Sequence, residues 1–427
     1  MKIILTGGLA AFASNASAQL DDSASADIDS RDEAAHQMHA HEPILVDPNL
    51  SWEALIRTTY QRFPSLPEVA ARRNEAAALE SAGRGPLSGV PSISFSHLSD
   101  APLDDLGQRE YDFGIALPLW RFGQRAAARD LGDTAGAEAI LAAELMRWEV
   151  AGLLRQVLWD VVAAENELAL AESSLEIAEE TLEVVARRHA AGDLPLADEL
   201  LARSELYARE MVVLDQEAQL LDTARAYRSL TGLDARPSQF TEKQTQRDDF
   251  DDSHPALGFA NAQLARARAS AALAEESSRG TPSINIGPHR ERGPLGTFYS
   301  NSMQLTFNMP VGGRRYGAPE RARAARIVAE AEAQRSTLLR ELDLQLHEAE
   351  HELSVAERSL DVANERADLA NRQLAMGQSA FAQGEIDLRT LLRIQEAART
   401  ADSEVAGLQI QRSRMIAMFN HALGEIP

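Results

Sequence analysis

Cysteine is absent from the 427-residue sequence. Its absence excludes disulfides, thiolate metal sites, a thiol nucleophile and a lipid-bearing N-terminal cysteine. Positive charge is scarce, with 42 Lys and Arg against 65 Asp and Glu, a net charge of -23. Such a surface repels nucleic acid phosphates and suits the handling of cations. Beyond the N-terminus no apolar run approaches the roughly 18 residues of a spanning helix, so any membrane crossing must be made by strands. No G-x-S-x-G, P-loop or dinucleotide motif occurs, and abundant carboxylates on so acidic a chain identify no catalytic pair. Neither catalysis nor a bound cofactor is expected.

The N-terminus reads MKIILTGGLAAFASNASAQ. Lys2, an apolar stretch from Ile3 to Ala13 and the Ala16-Ser17-Ala18 site give residues 1–18 the layout of a secretory signal. The mature chain is therefore expected beyond the cytoplasm. Residues 19–48 form an acidic, histidine-containing tail of low hydrophobicity.

From residue 49 onward the chain repeats itself. ALPLWRFGQR at Ala116 to Arg125 lies on FNMPVGGRRY at Phe307 to Tyr316 when Pro118 is set on Pro310, an offset of 192. VPSISF at Val90 to Phe95 answers TPSINI at Thr281 to Ile286 at 191, and AGDL at Ala191 to Leu194 answers QGEI at Gln383 to Ile386 at 192. So constant a register means two copies of one unit, a first repeat over 49–232 and a second over 253–424, joined by an acidic linker over 233–252. Each copy runs helix, two strands, long helix, helix. The strands are expected near 90–98 and 109–119, then 281–288 and 301–311, and the long helix hairpins over 121–231 and 318–423. Helices of 65 to 70 residues span about 100 Å, more than any globule. The order of segments predicts a ring of four antiparallel staves. In it 196–229 continues into 255–278, and the final helix is completed by a single helix over 52–82.

Asn301 to Val311 alternates strictly, with Met303, Leu305, Phe307 and Met309 on one face and Ser302, Gln304, Thr306 and Asn308 on the other. Tyr111 to Leu119 does the same. Period two with one apolar face identifies strands between unlike surroundings, and about ten tilted residues cross an outer-membrane apolar band of roughly 25 Å. Nine of the 22 aromatic residues fall in the windows 90–123 and 281–317, as interface belts require. Four strands cannot close a barrel without exposing edges to lipid, so subunits must share one: two chains at least, with three giving twelve strands. The repeated segments are then elbows. Pro118 and Pro310 end the strands, Gly123, Gly312 and Gly313 turn the chain, and Arg125 and Arg315 follow at the polar interface.

The duplicated elbow, together with the glycine turns RRHAAGDLPLADEL and SAFAQGEIDLRTLLRIQEA, resembles the TolC family of outer-membrane efflux ducts over about 49–424. The resemblance implies a mainly helical homotrimer with a membrane β-hairpin pair from each chain. Its twelve-stranded β-barrel would be continuous with a twelve-helix periplasmic α-barrel in the cell outer membrane. It also implies hairpin tips that meet a periplasmic adaptor, or membrane fusion protein, coupled to an inner-membrane pump of the RND type. Gly192, Leu194 and Leu200 answer Gly384, Ile386 and Leu392 at those tips. Many relatives carry an acylated N-terminal cysteine, which this chain lacks, so anchoring rests on the barrel in outer-membrane lipid. The sequence ends at Pro427 with almost no C-terminal belt segment. Relatives often narrow the tunnel with acidic rings near the second tip; here Asp368 is the nearest preceding aspartate, and no gate residue is assigned.

Three candidate metal motifs remain. HEAEH at His347 to His351 has zinc-protease spacing, but its crowded acidic helix and missing third ligand favour a solvated face. His36, Met38, His39 and His41 combine imidazole with thioether, a set suited to copper or zinc, and lean the expected cargo toward heavy-metal cations over drugs. Asp248, Asp249, Asp251 and Asp252 lack the glycine and terminal glutamate of a calcium loop. The alternative is a periplasmic coiled-coil adaptor or scaffold, which long helix pairs would also fit. The alternating strands separate the two, since an adaptor has no need of lipid-compatible hairpins.

Overall fold

The computed structural model describes residues 43–311, 313 and 315–427. Residues 1–18, the His36, Met38, His39 and His41 cluster and Gly312 lie outside the described residues. The elements in order are β1 (Leu45–Asp47), α1 (Trp52–Arg62), α2 (Leu66–Arg84), β2 (Ser92–Ser99), β3 (Arg109–Pro118), α3 (Gln124–Ala190) and α4 (Leu196–Thr231). They are followed by β4 (Ala235–Pro237), α5 (Pro255–Ser277), β5 (Ser283–Arg292), β6 (Ser300–Asn308), α6 (Ala318–Ala382) and α7 (Leu388–Ala422).

The long helices follow from composition: α3 and α6 are rich in Ala, Leu, Glu and Arg, and neither has a proline beyond its first turn. At 67 and 65 residues each is roughly 100 Å long. Their buried positions recur every three or four residues, as in Val150, Leu154, Leu158 and Val161 on α3, which pack on Leu55, Ile56, Ala224 and Tyr227. The expected single helix over 52–82 is broken instead. Pro64 follows Phe63, whose backbone is extended, and Pro67 opens α2, because the residue before proline avoids the helical region. The 233–252 linker and the end of the tail also hold structure that the periodicity missed. Leu45–Asp47 pairs in parallel with Ala235–Pro237, three-residue strands too short to show a period.

Around α3 the helices form two tiers. In the upper tier the order is α2, α3, α5, α6; in the lower it is α4, α3, α7, α6. So α2 stands over α4 and α5 stands over α7, which corrects the expected stacking of 255–278 on 196–229. The junctions confirm it. A side chain at Gly232, just past α4, would strike Arg62, and one at Gly424, just past α7, would strike His254 and Pro255 at the start of α5. Each two-part stave thus joins the opening and closing helices of one repeat. The linker passes sideways from one stave to the other.

Nor do the staves close into a ring within one chain. The upper tier begins at α2 and ends at α6, and these two ends share no substantial packing. Val355, Val362, Leu369 and Met376 form a seven-residue repeat of exposed apolar side chains along α6, and Leu200, Tyr207 and Leu214 do so along α4. Such repeats have the spacing of coiled-coil seams.

The staves are pinned by charge where they cross. Glu138 of α3, almost fully buried, receives Arg72 of α2 at 2.6 Å and Arg266 of α5 at 2.9 Å. A carboxylate holding two guanidiniums joins three staves at one height.

Candidate functional site

The four long strands form one antiparallel sheet in the order β2-β3-β5-β6. Its register places Ile93, Ile115, Ile286 and Leu305 in one row across the sheet, with Phe95 beside Phe113 and Ile284 beside Leu117 and Phe307. One face is therefore continuously apolar, and it lies open: Ile93 is 74% exposed, Leu305 69% and Phe95 63%. The opposite face carries Ser92, Ser94, Ser96, Gly114, Asn285, Gln304 and Thr306, small or polar throughout. The polar face ends in Glu110, Asp112 and Glu291, with His289 reaching Asp112 at 2.6 Å and Glu291 at 3.4 Å. β5 runs on to Arg292, past the expected end at Pro288. Proline has no N–H to donate, and the β3–β5 ladder omits the Phe113–Pro288 and Gly114–Gly287 pairs, then resumes in the same register. There the two backbones draw together, and a side chain on Gly287 would overlap the Phe113 carbonyl at 1.7 Å.

At the first elbow Pro118 is the last residue of β3, and Leu119 N–H donates to Pro282 O at 2.8 Å. Gly123 caps α3 at φ 83, a conformation that favours glycine. Arg125 donates to Arg84 O at 2.9 Å. Two residues within the same motif complete the joint: Trp120 donates to Gly85 O at 2.9 Å, and Arg121 to Arg279 O at 2.9 Å. Their part was not foreseen, although both stand in the repeated segment. At the second elbow Pro310 lies just past β6, against Gly280. Gly313 O accepts from Gly317 N–H at 2.9 Å, and Arg315 is exposed. Here the helix begins at Ala318, two residues later than the offset of 192 predicts from Gln124.

The two tips are built alike. Gly192 and Gly384 take φ of 85 and 76 with open space around them, so the turn, not crowding, selects glycine. Asp193 N–H reaches back to Arg188 O at 2.9 Å and Glu385 N–H to Ala380 O at 2.8 Å, closing both helix ends. Asp387 caps α7 by accepting from Thr390 N–H at 2.9 Å, and hydrogen bonds from the Thr390 side chain and then its backbone hold the Asp387 carboxyl below the usual range. Leu194, Ile386 and Leu392 pack on Val185, Ala202, Phe381, Leu388 and Leu391. Leu200, expected to match Leu392, is instead 56% exposed on the outer face of α4.

Above this tip core α3, α4, α6 and α7 surround a cavity of about 640 Å³. Polar contacts tie one hairpin to the other across it: Arg209 to Glu396 at 2.5 Å, Arg188 to Phe381 O at 3.1 Å and Gln395 to Thr181 at 3.4 Å. Burial raises the Glu396 carboxyl, and its bonds from Arg399 and Arg209 outweigh that and hold it below its ordinary value.

Where the tiers meet, Arg155 of α3 is fully buried and binds Glu242 of the linker through two bonds of 2.7 and 2.8 Å. It also donates to Glu425 O at 3.1 Å and faces His421 Nδ1 at 3.2 Å. His421 stacks on Trp148 at 4.2 Å. Burial, then the charge of Arg155, pushes the His421 imidazole down to about 3; burial, then Arg247, pushes His254 down to about 4. Burial likewise raises the Tyr227 phenol, which donates to Ala235 O at 2.9 Å and ties α4 to β4. Everything here holds the linker against the staves.

Among the described residues no group of three or more His, Asp and Glu can hold a metal ion. His347, Glu348 and His351 are exposed on α6, whose packing falls to Leu346, Ala349 and Leu353. Asp251 accepts from Ser253 N–H at 2.9 Å, and Asp252 from Asn261 at 3.3 Å. No helix among the described residues is long and apolar enough to cross a membrane.

Residues 55–233 match the family model described as outer membrane efflux protein. No protein of curated function matches the sequence. Among solved structures the chain is similar to the CmeC outer membrane channel of Campylobacter jejuni, at 15% identity over 87% of this chain and 85% of that one, with a TM-score of 0.67. It is similar to the outer membrane protein VceC of Vibrio cholerae at 15% identity, covering 87% and 96%, with a TM-score of 0.68. The CusC channel matches at 13% identity over 90% and 93%, with a TM-score of 0.68. At these identities the likeness is one of fold, and it runs nearly end to end in each pair. The first repeat thus matches the outer membrane efflux protein family, and the chain as a whole, with its two-faced sheet and paired staves, has the fold of the solved outer membrane channels.

Proposed function

We propose that three copies of this chain form a passive duct that carries solute across the periplasm and outer membrane, with energy supplied by a partner pump. One observation carries this reading: a sheet with one lipid-compatible and one polar face whose edge strands, β2 and β6, have no further partner among the described residues. Edges cannot be left open in lipid. Two copies would give eight strands, whose interior is just filled by side chains; three give twelve and leave a passage. The exposed seams on α4 and α6 meet in the same arrangement, β2 beside the neighbour's β6 and α4 beside the neighbour's α6. The polar sheet face, with Glu110, Asp112 and Glu291, lines the passage and favours cations.

The tips, with Gly192, Leu194, Leu200, Gly384, Ile386 and Leu392, are the part offered to a periplasmic adaptor, and the exposed Leu196 and Leu200 suit such a contact. The contacts across the tip cavity, above all Arg209 with Glu396, must part for the helical end to widen. The cargo that best fits the acidic wall and the His36, Met38, His39 and His41 tail is a heavy-metal cation. The adaptor reading is not favoured, because an adaptor gives no account of the sheet.

Purified protein in detergent tests the assembly: its mass by native mass spectrometry should be three times that of the chain, and planar bilayers should show cation-selective conductance. A monomer or dimer, or the absence of conductance, would refute the duct. Loss of the gene should raise sensitivity to copper, zinc or cobalt, and unchanged sensitivity would remove the metal assignment.

A further inference from the structure

The rim of the sheet farthest from the helices sorts its charges by face. On the polar face stand Glu110, Asp112 and Glu291, and on the apolar face stand Arg109, Arg290 and Arg292. Arg109 lies directly opposite Arg292 across the β3–β5 ladder, with Arg290 opposite Tyr111 in the next row of that face. Like charges at directly paired positions destabilise a sheet. On the polar face the matching Glu110–Glu291 pair has His289 beside it; on the apolar face no counter-group is present. Among the described residues no carboxylate pairs with any of the three arginines, whereas arginines along the staves are ion-paired repeatedly. The Arg109 Nε is buried without a hydrogen-bond partner. Arg290 and Arg292 stack on the Tyr299 ring at 4.3 and 5.3 Å, and Arg292 Nε donates to Gly107 O at 3.0 Å. These contacts hold the guanidiniums in place without neutralising them.

Their height is fixed by the strand. From Pro118 at the elbow to Arg109 is a step of nine residues, all of it within β3. At about 3.4 Å per residue and a tilt near 40° that is roughly 23 Å, close to one apolar band. The arginines thus stand where the lipid-facing band ends and the outer headgroups begin.

We infer that Arg109, Arg290 and Arg292 form a binding site for the phosphate groups of an outer-leaflet lipid. The guanidinium forks match phosphate oxygens, Tyr111 and Tyr299 provide the aromatic edge of the acyl boundary, and the rows of Phe95, Phe113 and Met303 below them take the chains. The site gives each hairpin pair a fixed lipid at its outer rim. This inference rests on the outer-membrane reading above.

The test is native mass spectrometry of the full chain in detergent with bisphosphorylated lipid A or the same lipid stripped of phosphate. The phosphorylated form should be retained about tenfold better. R109Q/R290Q/R292Q should abolish that preference while still fractionating with the outer membrane, and the triple lysine variant should keep most of it. Millimolar inorganic phosphate should not displace the lipid. Equal retention of both lipids by the wild type, an undiminished preference in the triple glutamine variant, or full displacement by free phosphate would each overturn the site while leaving the duct intact. Should the triple glutamine variant not assemble, R290Q alone decides, because among the described residues its guanidinium meets the Tyr299 ring and no carboxylate: its preference should fall, and an unchanged preference would overturn the site. Wild-type protein absent from outer-membrane fractions would instead refute the duct itself.

Discussion

Replacing Arg155 by methionine should loosen the belt without disturbing the barrel. The guanidinium has no solvent exposure and its partner Glu242 is 11% exposed. The change deletes the two bonds to Glu242, the bond to Glu425 O and the contact with His421. Methionine fills much of the space, so the cost is chiefly electrostatic. Glu242 keeps a bond from Asn420 Nδ2 at 3.1 Å but no cation, and stranding one member of a buried pair costs about 3–5 kcal/mol. Because Thr245 N–H donates to Asn420 Oδ1 and Glu425 N–H to Asn420 O, the disturbance passes to both segments flanking the junction. In local opening, 3 kcal/mol corresponds to a roughly hundredfold faster exchange. Hydrogen exchange should rise by that factor over 240–250 and 419–427, with the tips unchanged. Adding Glu242→Gln removes the stranded charge, so the double variant should recover about half of the lost protection. Unchanged exchange in Arg155→Met, or a double variant looser than the single one, would refute the reasoning.

The faces of the sheet make a paired prediction: Ile286→Arg, on the apolar face, should cost about 2–4 kcal/mol of insertion stability, whereas Thr306→Arg on the polar face should assemble normally. Equal yields of heat-modifiable oligomer on gels would contradict the assignment of faces. Gly287→Ala should block assembly altogether, since its Cβ would lie 1.7 Å from Phe113 O, and a normally migrating oligomer would show that the strands separate freely. The belt should also weaken in acid. Unfolded histidines take up protons below about pH 6.5, but His254 resists until about 4 and His421 until about 3. Stability from these groups is therefore full above pH 6.5 and lost as pH falls toward 4, by on the order of 3 kcal/mol for His254. Exchange corrected for intrinsic rate should be faster over 240–258 at pH 5 than at pH 7.5, and His254→Asn should flatten the difference.

Periodicity exposed what is periodic. The strand faces, the long helices and the glycine tips were legible because each imposes a residue pattern on a single element, and the duplication showed each pattern twice. Pro288 misled, since proline normally ends a central strand; here the ladder simply skips it. Pro64 and Pro67 marked the break between α1 and α2, yet the alanine-rich stretch around them read as continuous. The stacking of the staves was not legible at all. Chain order favours joining α4 to α5, and only packing at Gly232, Arg62, Gly424 and His254 shows that the 233–254 segment runs sideways. For the same reason Arg155 and Glu242, 87 positions apart, carry no sequence signal of their meeting.

Since α2 stands on α4 and α5 on α7, every half of this molecule begins where it ends. The halves are complete modules, each owning one hairpin, one unbroken rod and one two-part rod, and the covalent tie between them is the linker that crosses from one two-part rod to the other. In the proposed trimer, six copies of a half-length ancestor would build the same tube, with fusion adding the linker and freeing the two copies to diverge. Their present asymmetries, the later start of α6 and the solvent-facing Leu200 against the packed Leu392, are the marks of that freedom.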